Sequence, residues 1–196
     1  MSNSSPQAFL ELLSTLDRLD DLPRTGWLFS GVDRPESIAA HSYGVCLVAL
    51  WIADHIDEPL DLGQLLRMAL LHDIAESMLT DLPRPVKDIL GDAALHDAED
   101  LALDRLLQTD TDHPWKRAHD DYRHRQSLEA KIVKAGDQIQ MLHKALLYRH
   151  RHNAPIDDFF SPRDAFDDHG IALIKDLFDH LFDCFHNHRL PRPHRF

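Results

Sequence analysis

The stretch ALLHDIAE, residues 69–76, places three ionisable side chains at the end of an otherwise apolar segment. The residues that lead into it recur at intervals of three and four, which is the period of one face of an α-helix. That stripe consists of Leu62, Leu65, Ala69, His72 and Glu76. Adjacent helix positions differ by about 100°, so His72 and Asp73 can flank one pocket, with Glu76 one turn further on. Burying these groups is costly unless a cation or hydrogen bonds compensate them, so the stretch predicts a metal-binding helix end.

Two polar side chains interrupt apolar stripes elsewhere in the chain. His41 lies on the stripe of an earlier segment, and Asp137 lies beside the stripe of a later one. Taken alone, His41 has an ordinary explanation as a hydrogen-bonded core histidine, and Asp137 as an exposed carboxylate. Together with His72 and Asp73 they supply two imidazoles and two carboxylates, a set suited to Mn, Co, Fe, Ni or Zn. The sequence therefore predicts one divalent transition metal bound by His41, His72, Asp73 and Asp137.

Helical periodicity also dominates the rest of the chain. Further apolar stripes run from Ile38 to Ile52, from Leu128 to Leu146 and from Leu173 to Phe185. Only WLFSGV, residues 27–32, has much strand character. These patterns predict an all-α bundle of roughly six to eight helices.

Capping residues and turn signals set the expected boundaries within one domain of residues 1–196. Asp61, Ser127 and the pair Ser161-Pro162 have the residue types that begin helices. We expect a core over about residues 10–150, a C-terminal helix over about 161–188 and a basic tail over 189–196.

Composition restricts the possible partners. The chain has 196 residues, 43% of them apolar, and a formal net charge of -12, which repels nucleic-acid backbones and anionic membranes. The uncharged run over residues 37–53 is short for a membrane span and contains His41, so a buried helix is expected there. Cys46 and Cys184 lack metal-type spacing, and the N-terminal residues lack the features of a secretory signal. We therefore expect reduced, buried thiols in a cytoplasmic protein that binds no nucleic-acid polymer and no membrane.

The order His41, then His72-Asp73, then Asp137 resembles the signature of the HD-domain superfamily of metal-dependent phosphohydrolases. Five segments between about residues 10 and 150 extend the likeness to its 5′-deoxynucleotidase branch. They are PRTGW (23–27), RPES-x3-H (34–41), LLHDIAE (70–76), TDLPRPVK (80–87) and SLEAKIVKAGDQIQM (127–141). The resemblance implies a single HD domain with one metal that removes the 5′-phosphate from (deoxy)nucleoside monophosphates. We expect a nucleotide as the small-molecule partner, and a homodimer.

The resemblance also implies roles for individual residues. Glu76 occupies the position of a glutamate that assists attack by water, and Asp81 that of an aspartate which positions the water or the leaving group. Trp27 matches an aromatic residue that admits deoxyribose and excludes a 2′-hydroxyl. Gly26 stands where some members carry a basic residue, so Arg24 or Arg34 would have to meet the phosphate.

Three further positions leave the substrate assignment open. Asp121 corresponds to an acidic residue near the substrate, but surface solvation explains it equally well. Two positions depart from the family pattern: Ala40 replaces a glutamate before the first ligand, and Thr80 replaces a glycine before Asp81. The change at Thr80 could alter the turn that aims Asp81.

Two other functions remain as alternatives. Additional histidines, His96 and His119, could support a two-metal oxygenase or a cyclic-dinucleotide phosphodiesterase, although their charged surroundings favour exposed helix faces. A non-catalytic nucleotide sensor is the alternative of a different class. The presence of Glu76 and Asp81 beside a full ligand set argues against it, because binding alone requires neither.

Overall fold

Helices form the regular structure of residues 5–108 and 113–190, the part of the chain that this computed structural model describes. Eight α-helices in these residues have seven residues or more, in agreement with the predicted bundle, and three are single turns. They are α1 (Pro6–Leu16), α2 (Arg18–Asp21), α3 (Thr25–Phe29), α4 (Ile38–Ala53), α5 (Leu62–Leu71), α6 (Glu76–Leu79), α7 (Arg84–Leu90), α8 (Asp92–Leu107), α9 (Pro114–His124), α10 (Leu128–His152) and α11 (Ala172–His186). Two short 3₁₀ helices, Asp157–Phe160 and Arg163–Ala165, lie between α10 and α11.

The longest helix, α10, is the centre of the fold. It packs against α4, α5, α9 and α11, and α4 also packs against α5. The predicted stripes supply the buried faces, with Ile38, Val45 and Ile52 on α4 and Ile132 and Leu142 on α10 all fully buried. Burial of these apolar side chains is the main favourable contribution to the packing of the helices.

A second apolar cluster closes one end of the molecule. Leu71, the last residue of α5, and Ile74, in the turn after it, pack with Leu103, Leu106 and Leu107 of α8. Leu12 and Leu16 of α1 and Trp115 of α9 cover this cluster from outside. This packing holds the residues immediately after Leu71, which include the His-Asp doublet, against the cluster.

Side-chain caps confirm two of the predicted helix starts. Asp61 Oδ1 accepts from Gln64 N at 3.0 Å, and Ser127 Oγ accepts from Ala130 N at 3.0 Å. The third start is wrong, because α11 begins at Ala172 and not near residue 161. His169 and Gly170 both have positive φ angles, which interrupts the right-handed helix before α11.

Two other sequence expectations also need correction. The WLFSGV segment is helical at its start, in α3, because Trp27 turns inward to the core. Helix α5 ends at Leu71, before the doublet, since His72 Nδ1 lies 2.9 Å from Ala69 O and competes for that carbonyl. His72 to Ala75 therefore form a tight turn, and α6 begins at Glu76.

Other features agree with the sequence. Cys46 and Cys184 are buried and unpaired with each other. No helix within residues 5–108 and 113–190 combines the length and apolar content needed to cross a bilayer. The predicted basic tail lies outside the described residues from position 191 onward.

Candidate metal centre

Three helical segments bring the predicted ligands together. His41 comes from α4, the pair His72 and Asp73 from the turn after α5, and Asp137 from α10. The Nε2 atoms of His41 and His72 are 3.3 Å apart, and Asp73 Oδ2 lies 3.7 Å and 3.3 Å from them, respectively. Asp137 Oδ1 is 3.2 Å from His41 Nε2. One ligand atom each from His41, His72 and Asp73 falls within 4.8 Å of the others, a spacing that could hold a metal ion.

The converging atoms are acceptors, and this chemistry fits a cation. His72 Nδ1 faces the carbonyl of Ala69 and His41 Nδ1 faces the side-chain carbonyl of Gln140 at 2.7 Å, so each Nδ1 carries the proton. Both Nε2 atoms are then left with lone pairs directed at each other and at two carboxylate oxygens. Such a cluster is electrostatically unfavourable by itself, and a divalent metal ion would satisfy all four atoms.

Asp137 is oriented by groups on its far side. Its Oδ2 accepts from the Tyr122 hydroxyl and from Lys134 Nζ, each at 2.9 Å, which leaves Oδ1 to face His41. Burial opposes the charge on Asp137, but the ammonium group of Lys134 holds the pKa of its carboxyl well below the usual range. Asp137 is therefore ionised, as the binding of a metal would require.

Arg24 is the positive side chain that contacts Asp73. Its guanidinium donates to Asp73 Oδ2 at 3.0 Å and to Asp81 Oδ1 at 3.3 Å, and it lies 3.8 Å from Glu76 Oε2. Burial would lower the pKa of Arg24, but these carboxylates raise it. For Asp73, burial favours protonation, yet the guanidinium of Arg24 keeps its pKa below the usual range. The structure thus places a permanent cation beside the ligand cluster.

Glu76 differs from the other carboxylates. Its Oε2 is buried and has no hydrogen-bond partner among the described residues. Burial, followed by the charge of Asp73, raises the pKa of Glu76 well above its ordinary value, although Arg24 opposes the shift. A buried, under-satisfied carboxylate with a raised pKa is a typical general base.

Asp81 anchors the loop that carries Arg24. Its Oδ2 accepts from the backbone N–H of Thr25, the first residue of α3, and from Thr25 Oγ1 at 2.8 Å. The preceding residue, Thr80, has φ 65° and ψ 165°, a region that is essentially restricted to glycine. The turn that aims Asp81 is therefore of the kind a glycine adopts, with threonine strained in that place.

The indole of Trp27 is buried. Only 2% of Trp27 is exposed, with its ring stacked on Phe159 at 4.2 Å and edge-on to Tyr148 at 5.1 Å. Its Nε1 donates to Glu36 Oε1 at 3.4 Å. The structure thus gives Trp27 a packing role, with no open ring face towards the site.

The remaining predicted residues differ in their exposure and contacts. Arg34 is exposed in the loop before α4. Asp121 accepts from Gln64 Nε2 at 2.8 Å and from Ser127 N at 3.0 Å, so both of its oxygens link α5, α9 and the start of α10. His96 is exposed, whereas the expectation of an exposed His119 is wrong, because it is 5% exposed. Its spacing from Trp115 and Tyr122 is the signal of a buried α9 face.

Four side chains around the centre were not predicted from the sequence. Tyr122 and Lys134 orient Asp137, while Gln140 and Glu36 lie behind His41. Lys134 and Gln140 are each three residues from Asp137, a spacing that places them on neighbouring positions of the same helix. A search for polar residues at that spacing would have found them.

Fold and centre together define an all-α protein built around a His-Asp doublet. Residues 16–168 match the model of the HD domain, and the chain belongs to this family. A Bos taurus protein named 5′-deoxynucleotidase HDDC2 is 32% identical over 82% of this chain and 78% of its own length. Its Xenopus laevis namesake is 30% identical over 81% of this chain and 79% of its own length.

Two solved structures share the fold of this chain. A conserved hypothetical protein from Pyrococcus furiosus superposes with a TM-score of 0.78 at 26% identity, covering 89% of this chain and 99% of its own. A protein from Pyrococcus horikoshii gives the same TM-score at 28% identity, covering 88% and 97%, respectively. The overlap extends beyond the residues around the metal centre to nearly the whole domain.

Proposed function

We propose that this chain is a metal-dependent phosphohydrolase that removes the 5′-phosphate from deoxynucleoside monophosphates. One observation carries the proposal: four acceptor atoms of His41, His72, Asp73 and Asp137 converge, and the nearby Glu76 has a buried carboxylate oxygen without a hydrogen-bond partner among the described residues. Binding alone would not require a carboxylate with a raised pKa at that position. The names of the curated relatives support the class of substrate.

The metal would be held by the two Nε2 atoms and by the carboxylates of Asp73 and Asp137. When bound, a divalent transition metal such as Mn, Co, Fe, Ni or Zn supplies Lewis-acid activation of phosphate and water. Glu76 accepts the proton of the attacking water at Oε2. Arg24 provides a permanent positive charge for a phosphate oxygen, and Asp81 holds Arg24 in place through its own hydrogen bond. The products are a nucleoside and inorganic phosphate.

A substrate panel tests this proposal. Protein stripped with a chelator and reloaded with Mn²⁺ is incubated with deoxynucleoside and ribonucleoside 5′-monophosphates, and released phosphate is measured. We expect turnover that requires the metal and is faster for the deoxynucleotides. Asp73→Asn serves as the control, because loss of one ligand charge should remove both metal and turnover.

Two results would contradict the proposal. One is full phosphate release by the chelated protein, which would remove the metal from the reaction. The other is nucleotide binding without any phosphate release by the reloaded parent protein, which would favour a sensor.

A further inference from the structure

A chain of buried hydrogen bonds leaves the metal centre behind His41. Gln140 Oε1 lies 2.7 Å from His41 Nδ1, and Gln140 Nε2 donates to Glu36 Oε2 at 2.9 Å. Lys144 Nζ contacts the same Glu36 oxygen at 2.8 Å. His41, Gln140 and Glu36 are at most 9% exposed, so water does not compete for these bonds.

Glu36 sets the direction of every bond in this chain. An ionised carboxylate can only accept, so the amide nitrogen of Gln140 must face Glu36 and its carbonyl oxygen must face His41. A carbonyl also only accepts, so Nδ1 of His41 must carry the proton. The lone pair then lies on Nε2, which points into the metal centre.

We propose that Glu36 and Gln140 are positioning residues of the metal centre, because they fix His41 in the Nδ1-protonated form and so keep Nε2 available to a divalent cation. The inference rests on the metal site of the proposed function and is independent of the substrate. Carboxylate or carbonyl partners behind metal-binding histidines commonly orient the ring and raise its basicity.

Helix α4 has a glycine, Gly44, at the point where it faces the side chain of Gln140. A Cβ added to Gly44 would lie 2.8 Å from Gln140 Cγ and 3.1 Å from Gln140 Nε2. Contacts this short force the glutamine side chain to move. The close approach of α4 and α10 at Gly44 therefore holds the amide in the orientation that His41 requires.

Glu36 is itself held on several sides. Its other oxygen accepts from Trp27 Nε1 at 3.4 Å, and its backbone N–H donates to the Tyr148 hydroxyl at 2.7 Å. Tyr148 in turn packs edge-on against Trp27. These contacts leave the carboxylate little freedom to rotate, so it can act as the fixed end of the chain that reaches His41.

Metal affinity is the first test. Gln140→Leu removes the acceptor for His41, and Gly44→Ala displaces Gln140 without changing any polar group. We expect both variants to bind Mn²⁺ roughly 10- to 100-fold more weakly than the parent in calorimetric titration. Gly136→Ala is the matched control, since its added methyl meets α4 at an ordinary 3.6 Å and does not touch Gln140.

The protonation of His41 is the second test, and it does not depend on activity. Long-range ¹H–¹⁵N spectra of the chelated protein distinguish Nδ1-protonated from Nε2-protonated rings, and comparison with His41→Gln assigns the signal. We expect the Nδ1-protonated form in the parent and in Gly136→Ala, and a mixture of both forms in Gln140→Leu. If Gln140 has a purely structural role, Gln140→Leu should have a lower melting temperature but the same Nδ1-protonated form of His41 as the parent.

The outcomes separate this inference from the proposed function. Parent-like Mn²⁺ affinity and an unchanged His41 form in Gln140→Leu would overturn the inference, whatever the enzyme hydrolyses. If Gln140→Leu does not fold, the same two measurements on Gly44→Ala decide. A shifted His41 form together with a parent that releases no phosphate would overturn only the proposed function.

Discussion

Glu76 has a buried oxygen within reach of the ligand cluster but no hydrogen-bond partner among the described residues. Glu76→Gln keeps the shape of the side chain and removes its basicity. We expect this variant to retain its metal and lose roughly 10²- to 10⁴-fold in kcat, since proton transfer typically contributes that much. Metal content by atomic absorption and phosphate release at saturating substrate measure the two quantities separately.

Loss of the metal from Glu76→Gln would reassign this residue. Glu76 would then be a ligand, and the base would have to be sought elsewhere. His41→Gln provides the comparison, because a ligand variant should lose metal and turnover together.

Trp27 supplies a second prediction for a single residue. With its ring buried between Phe159 and Tyr148, Trp27→Ala should destabilise the protein by roughly 3–5 kcal/mol. Because no ring face is open to the sugar, turnover of dAMP and AMP should fall by similar factors. Urea denaturation and kcat/KM for both nucleotides provide the measurements.

Trp27→Phe separates packing from sugar recognition. Phenylalanine keeps an aromatic ring against Phe159 but cannot donate to Glu36, so an intermediate loss of stability is expected. A dAMP to AMP ratio that changes in Trp27→Ala would show instead that the indole reads the sugar.

Among the turns between helices, the one after α6 carries strain. Thr80 has φ 65° and ψ 165°, where a residue with a Cβ costs roughly 1–3 kcal/mol. Thr80→Gly removes that strain but adds about 0.5–1 kcal/mol of chain entropy to the cost of folding. We expect a net gain of about 1 kcal/mol in the free energy of unfolding, measured by urea denaturation.

Asn153→Gly is the control for the Thr80 variant. Asn153 also has a positive φ, 52°, but in the left-handed helical region that asparagine tolerates. Its replacement should change stability less than Thr80→Gly does. A destabilised Thr80→Gly would indicate that the threonine side chain contributes contacts that outweigh its strain.

The helices and the convergence of the candidate ligands were predictable because apolar periodicity is a local property. His41 and Asp137 were found as polar interruptions of the α4 and α10 stripes, and the structure brings both to the doublet. The tight turn at His72 was not predicted, because it depends on a hydrogen bond between the His72 side chain and the Ala69 carbonyl. The spacing from Asp137 could have indicated Gln140 as a neighbour, but its contact with His41 depends on the packing of α4 against α10 at Gly44, which no local pattern contains.

Acid should destabilise the whole molecule through His119. Burial, followed by Arg123, lowers the pKa of His119 from its ordinary 6.5 to about 4, although Asp100 and Asp73 oppose the shift and His72 adds to it. The unfolded chain therefore binds a proton between these two values while the folded chain does not. The contribution of neutral His119 to the free energy of unfolding is fully present above pH 6.5 and is lost as the pH falls towards 4.

Denaturation at two pH values measures this effect. Between pH 7 and pH 5, a single such group lowers the free energy of unfolding by about 2 kcal/mol, since one pKa unit corresponds to about 1.4 kcal/mol. His119→Gln removes the titration, so its stability should fall less over the same range. Equal losses in parent and variant would mean that His119 is not the group responsible. Both proteins are compared in chelator, so that metal release does not contribute.

The candidate ligands come from α4, from the turn after α5 and from α10, so residues distant in the sequence meet only when these helices are packed. An ion would therefore bind the folded chain at this place but not the unfolded chain. By mass action, such an ion shifts the folding equilibrium in proportion to the logarithm of its free concentration. The melting temperature of this protein would then vary with the concentration of available metal. A shortage of metal would lower the stability of the fold as well as the rate of catalysis.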